Sequence, residues 1–207
     1  MNKKFQYAAI MIAAACTIST SAQAESRFVT GTASPLTATA NLDFTVTIPK
    51  FVYVRIGTGT DRANNTTVDN LVFNVAAANV GDGSSVAGTG GDLTGGQVTA
   101  RVIGNNGTIA FSSTTLGPLN NGAGDTISWS QMNVAVTANT TATALVHPTL
   151  VDAATTSVNL TPTSGTKVTN LDARWTFSYR NQNVVPAGTY GGVNTQNGRV
   201  TYAVSMP

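Results

Sequence analysis

Cysteine occurs once, as Cys16, and histidine once, as His147, in a chain of 207 residues. The first scarcity leaves no thiol nucleophile and no disulfide in any product that loses the N-terminal segment. A secreted domain of that kind is held by its core and its backbone ladders alone. The second leaves no His cluster for a metal and a single imidazole for acid–base work. Charged residues make up only 10% of the chain, with no Lys/Arg stripe, which argues against nucleic acid and anionic membrane surfaces as partners. Glutamate appears only as Glu25 and lysine is sparse, so outside the first residues no helical periodicity survives beyond about ten residues. Thr, Val and Gly abound instead, and that balance predicts an all-β fold.

Residues 1–24 read as a cleaved secretory signal. Lys3 and Lys4 form a positive start, residues 8–15 an apolar run, and Ala22-Gln23-Ala24 a cleavage site before Glu25. The apolar run is too short to span a hydrocarbon core of roughly 30 Å. A rival reading is a lipoprotein signal cut before Cys16, with Ala13 where a large aliphatic residue is expected. Loss of Lys3 and Lys4 reduces the 11 basic residues to nine, against nine acidic ones, so the exported chain is formally neutral. Little charge repulsion then opposes self-association. The remaining length is enough for one β-sandwich or barrel domain.

Residues 25–35, with Phe28 and Val29, read as an N-terminal arm or edge strand ahead of a single domain over residues 36–207. From Leu36 the alternation is strict: Leu36, Ala38, Ala40, Leu42, Phe44, Val46 and Ile48 share one face, and Thr and Asn dominate the other. This predicts one unusually long strand, bent or switching sheets along its length. Strands are also expected over residues 51–56, 68–75, 145–151 and 157–161, with residues 76–96 as a long irregular loop. Gly104-Asn105-Asn106-Gly107, between apolar runs, is a β-hairpin signal. Residues 126–136 read as two short strands or one with a bulge. Two long antiparallel strands close the chain. One carries Ala173, Trp175, Phe177 and Tyr179, and the other Val200, Tyr202, Val204 and Met206. The latter is the candidate edge strand.

The chemistry-bearing residues are dispersed. His147 precedes Pro148 with no G-x-S-x-G elbow in the chain, so it reads as a strand or turn residue, and no catalytic role is assigned. The eight Asp residues are distributed along the chain, with no pair marked for hydrolysis. Asp82, Asp92 and Asp125 sit in Gly/Asn-rich loops that suit turn chemistry better than a calcium site. No metal or cofactor is expected. Trp129, Trp175, Tyr179 and Tyr190 suit a sugar-binding face or core packing, with core favoured for Trp175.

The turn block Pro186-Ala187-Gly188-Thr189-Tyr190-Gly191-Gly192, followed by Gly198-Arg199-Val200-Thr201-Tyr202-Ala203-Val204-Ser205, resembles the last strands of bacterial fimbrial subunits. The long alternation over residues 36–48 is similarly pilin-like. Such subunits commonly carry a disulfide that this chain lacks, and residues 193–197 are interposed here before the last strand. The resemblance implies an incomplete immunoglobulin-like, pilin-like antiparallel β-sandwich assembled by a periplasmic chaperone and an outer-membrane usher. In that scheme an N-terminal segment of one subunit completes the sheet of the next. Phe28, Val29, Leu36, Leu42, Phe44, Val46 and Ile48 are then the candidate strand-exchange residues. The expectation is an exported surface subunit, not an enzyme, that associates with itself or sister subunits in adhesion or biofilm. The alternative is a monomeric ligand- or glycan-binding adhesin module shaped by residues 76–96 and 120–125.

Overall fold

The computed structural model of the chain describes residues 25–162 and 165–207. The expected export signal and Cys16 lie outside the described residues. Two compact units divide after Ile48. Residues 25–48 contain no strand, so the long strand expected over residues 36–48 is not formed. Alternation supplies a face, but a strand also needs a neighbour for its amides and carbonyls, and no ladder partners pair with this segment.

Residues Pro49–Pro207 are almost purely β. In chain order the strands are β1 (Val52–Ile56), β2 (Leu71–Val72), β3 (Val86–Ala87), β4 (Thr89–Gly90), β5 (Gln97–Gly104) and β6 (Ile109–Thr115). They continue as β7 (Leu119–Asn120), β8 (Thr126–Ile127), β9 (Met132–Ala138), β10 (Thr155–Leu160), β11 (Thr169–Tyr179) and β12 (Val200–Ser205). All strand pairs are antiparallel. One main sheet runs β1–β5–β11, with β9 and β3 also on β11, the other main sheet runs β10–β6–β12, and β2–β4 and β7–β8 form two-stranded sheets. Residues 173–176 of β11 pair with both β5 and β9, which therefore occupy its opposite edges.

The sheets close on one core as an antiparallel β-sandwich. Val98, Ala100 and Val102 of β5 and Ala173, Trp175 and Phe177 of β11 meet Ile109 and Phe111 of β6 and Leu160 of β10. The period of two puts each set on one face. A smaller cluster of Leu119, Trp129 and Leu150, with Tyr190 and Val200 beside it, fills one end.

Several expectations are corrected. The Asn-Gly turn at residues 104–107 does not make a hairpin, because β5 and β6 belong to different sheets. Both edges of β5 are taken by β1 and β11, which leaves β6 no ladder to join. The turn makes a corner instead: Asn105 bonds the Phe51 amide and the Pro49 carbonyl, and the Gly107 amide bonds the Lys167 carbonyl. A Cβ at Gly104 would stand 2.8 Å from Ile109 Cδ1 and 2.9 Å from Met206 Sδ, so a larger residue there would displace the ends of those two side chains. The two closing strands also lie in opposite sheets, facing each other across the core. The expected strand over residues 68–75 shrinks to Leu71–Val72, paired with β4 inside the supposedly irregular stretch. Residues 145–151 form no strand. They thread Leu145, Pro148 and Leu150 into the interior, with the Leu145 carbonyl accepting from Trp175 Nε1 at 2.9 Å. Residues 126–136 contain β8 and the start of β9, separated by a short 3-10 turn at Trp129–Gln131.

Trp175 is fully buried and touches both sheets. Trp175→Ala is expected to cost about 3–5 kcal/mol in urea unfolding at neutral pH. A loss below about 1 kcal/mol would contradict its place in the core.

Candidate functional site

The exchange residues proposed from the sequence stand out by exposure. Phe28 is 90% exposed, Phe44 84%, Val46 83%, Ile48 76% and Leu42 67%, with Leu36 at 48%. Val29 alone among them is half-buried. Scattered exposed apolar residues are ordinary, but four successive residues of one alternating face are not. Each such side chain, buried, is worth about 1.5–3 kcal/mol.

Val200, Tyr202 and Val204 lie on the core-facing side of β12, with Met206 just beyond it, and all four are half-buried. β12 is hydrogen-bonded to β6 and to no second strand. β1, the edge of the other sheet, approaches it without forming a ladder. The core is therefore bounded on this side by two edges that share no backbone bonds.

Tyr202 anchors β12 in an aromatic group. Its ring lies 5.9 Å from Phe111 and 5.6 Å from Trp175, centroid to centroid. His147 stands edge-on to Trp175 at 4.6 Å and to Phe177 at 5.6 Å, and its Nε2 is 2.7 Å from the Tyr202 hydroxyl. Burial pushes the His147 imidazole down from 6.5 to about 4, only partly offset by a hydrogen bond at the Pro148 backbone. Burial likewise raises the Tyr202 phenol. The neutral pair is a packed contact within the aromatic group.

A charged ladder crosses the outer face of the first sheet, and sequence reasoning did not find it. Arg55, Arg101 and Asp172 are direct partners across β1, β5 and β11. Asp172 is 1% exposed because residues 139–145 fold over it. Burial alone would raise its carboxyl. Hydrogen bonds from the Thr140 and Thr141 hydroxyls and amides outweigh that and hold it well below the usual carboxylate range. Arg101 Nη1 lies 3.8 Å from Asp172 Oδ2 and 3.0 Å from Asp61 Oδ2, and Arg55 Nη2 lies 3.5 Å from Asp61 Oδ1. The only hint in the sequence is arginine at the middle of two apolar strands. Nothing there reveals that the two residues are opposite each other.

The loop aspartates serve turns. Asp82 accepts from the Ser84 amide and from Asn79 and Asn181, Asp92 from the Thr99 amide, and Asp125 from Asn121. Hydrogen bonds from Ser84 lower the Asp82 carboxyl. Among the described residues no group of three or more His, Cys, Asp or Glu side chains is placed to hold a metal. No helix there is long and apolar enough to cross a membrane. Trp129, Trp175 and Tyr179 are buried and Tyr190 packs on the smaller cluster, so these four form no common aromatic surface. Compared with protein-family models, curated proteins and solved structures, the chain matches none.

The two buried titrating groups both lose their stabilising contribution in acid, over different pH windows. The unfolded chain protonates His147 near pH 6.5 and the folded chain only near 4. That contribution is complete above the higher value and is lost as pH falls between them, by about 3 kcal/mol at about 1.4 kcal/mol per unit. His147→Gln should flatten this limb in urea titrations compared at neutral pH and at about pH 5. Asp172, with its folded value depressed, contributes fully above the unfolded carboxyl value of about 3.9 and loses that contribution progressively as pH falls toward the folded value. Asp172→Asn should therefore cost about 1–3 kcal/mol at neutral pH and progressively less in acid. An equal cost at both ends would show that its ionisation contributes nothing.

Proposed function

We propose that this protein is an exported structural subunit of a bacterial surface fibre, assembled by β-strand addition and serving adhesion or biofilm formation. The observation that carries the reading is the alternating face of Leu42, Phe44, Val46 and Ile48, exposed in a segment without a ladder of its own. A second copy, or a sister subunit, is the occupant that this chemistry suits. An extended chain satisfies its amides and carbonyls by joining a sheet edge, and its alternate side chains fill a groove. The edge offered is β12, with Val200, Tyr202, Val204 and Met206 lining the core beside it. A periplasmic chaperone would cover such an edge before assembly, and an outer-membrane usher would carry out the exchange, as the fimbrial resemblance implies. The near-equal numbers of acidic and basic residues in residues 25–207 leave little repulsion between copies.

Residues 25–207 are expected to form polymers visible by negative stain and by ultracentrifugation. Phe44→Asp with Val46→Asp, both at exposed positions, should abolish them while leaving the melting temperature of the domain within a few degrees. A synthetic peptide of residues 36–48 added to the double variant should raise its melting temperature by mass action. A wild-type protein that stays monomeric at high concentration, and whose variant is indifferent to the peptide, would instead favour the monomeric adhesin.

A further inference from the structure

Arg55 and Arg101 are direct partners on β1 and β5, with Val54, Ile56, Ala100 and Val102 turned to the core, so both arginines point to the outer face. Like charges placed opposite each other on a sheet repel, and the pair needs an anion between them. Asp61 from the loop after β1 supplies it, at 3.0 Å from Arg101 Nη1 and 3.5 Å from Arg55 Nη2.

That engagement is incomplete. Arg55 Nε, Arg101 Nε and Asp61 Oδ1 are all buried without a hydrogen-bond partner. Each such atom costs about 1–3 kcal/mol, so three together are poorly explained by stability alone. Arg55 is otherwise tied to the Gly59 carbonyl at 2.6 Å, and Arg101 to Asn170 at 3.2 Å. A guanidinium presents its donors as a planar fork that fits two oxygens of one oxyanion. Here two forks share one carboxylate, and each keeps an unpaired Nε. A cavity of about 110 Å³ lies alongside, lined by Arg55, Gly59, Ala63, Asn65 and Thr67 among others. The base of the loop is pinned, because the Thr58 amide and hydroxyl both donate to Asp69. Its tip is held more lightly, by the Tyr53 hydroxyl and the Ala63 amide on the Thr60 carbonyl and by Arg62 over the Phe51 ring at 5.5 Å, with Asp61 partly exposed and Arg62 exposed at a positive φ of 62°.

We infer that the Arg55–Arg101 pair is an oxyanion-recognition site, occupied in the resting chain by Asp61 and open to a carboxylate or sulfate group that displaces it. With Asp61 in place, two arginines face two aspartates, Asp61 and Asp172. When Asp61 is displaced, the balance becomes one net positive charge, which attracts a carboxylate, a sulfate ester or the free sulfate dianion. Both a free oxyanion and an acidic polysaccharide at the cell surface carry this chemistry.

The test compares wild-type chain, Asp61→Asn, and Asp61→Asn with Arg101→Ala. Melting temperatures are read in sodium sulfate against sodium chloride at matched ionic strength. Binding of sulfate, an oligogalacturonate and a neutral oligosaccharide is read by calorimetry. Asp61→Asn should gain a saturable sulfate stabilisation and bind sulfate or oligogalacturonate at least about tenfold more tightly than wild type. The added Arg101→Ala should remove both effects. Preference for the oligogalacturonate over sulfate assigns the polysaccharide, and the reverse assigns the free ion. Equal sulfate shifts in all three proteins, or none in any, overturn the inference, as does equal binding of the neutral oligosaccharide. Should Asp61→Asn fail to fold in chloride, sulfate is expected to restore its circular dichroism, and failure to do so overturns the site.

Discussion

The Trp175 indole lies between the two sheets, bonded through Nε1 to the Leu145 carbonyl and packed against Phe111, His147 and Tyr202. Three connections converge on it: the strand that carries it, the connecting residues 144–148, and the last strand of the opposite sheet. No disulfide is available among the described residues to hold these pieces, so area buried and aromatic contact do that work. The same contact explains why the single histidine is kept neutral. An imidazole enclosed by three aromatic rings has no counter-charge to stabilise its protonated form.

The sandwich is polarised between its two sheets. β5 and β11 have both edges paired and form the rigid layer, with the loop of residues 139–145 clamped over the buried Asp172. The opposite sheet is only three strands wide, and its last strand, β12, has one side without a ladder. Strand addition is driven by such an imbalance, since an unpaired edge beside a half-covered core offers both hydrogen bonds and apolar contact. In the proposed strand addition, the exposed alternating residues before Pro49 are the segment offered, with apolar side chains and backbone groups without a ladder.

Much of the sandwich was legible from alternation. Trp175 was placed inward by its neighbours Ala173 and Phe177, the apolar runs on either side of residues 104–107 are β5 and β6, and the two closing strands are β11 and β12. The misreadings share one physical origin. Alternation reports which face of a strand is apolar, not which strand lies beside it. The Asn-Gly corner was taken for a hairpin because a tight turn looks the same whether the chain returns to its own sheet or crosses to the other. The apolar residues at 145, 148 and 150 looked like a strand, although they enter the core from a connecting segment. In the charged ladder, Arg55, Arg101 and Asp172 are far apart in sequence and become neighbours only through register.

The sequence by itself determined that the chain is β and that residues 36–48 possess one continuous apolar face. These are properties of composition and of the two-residue period, which act locally. Tertiary structure alone decided that residues 25–48 form no strand, that β11 and β12 face each other across the core, and that two arginines share one aspartate. Each of those depends on which edges are already filled, and edge occupancy is settled only when all the strands compete for the same ladders.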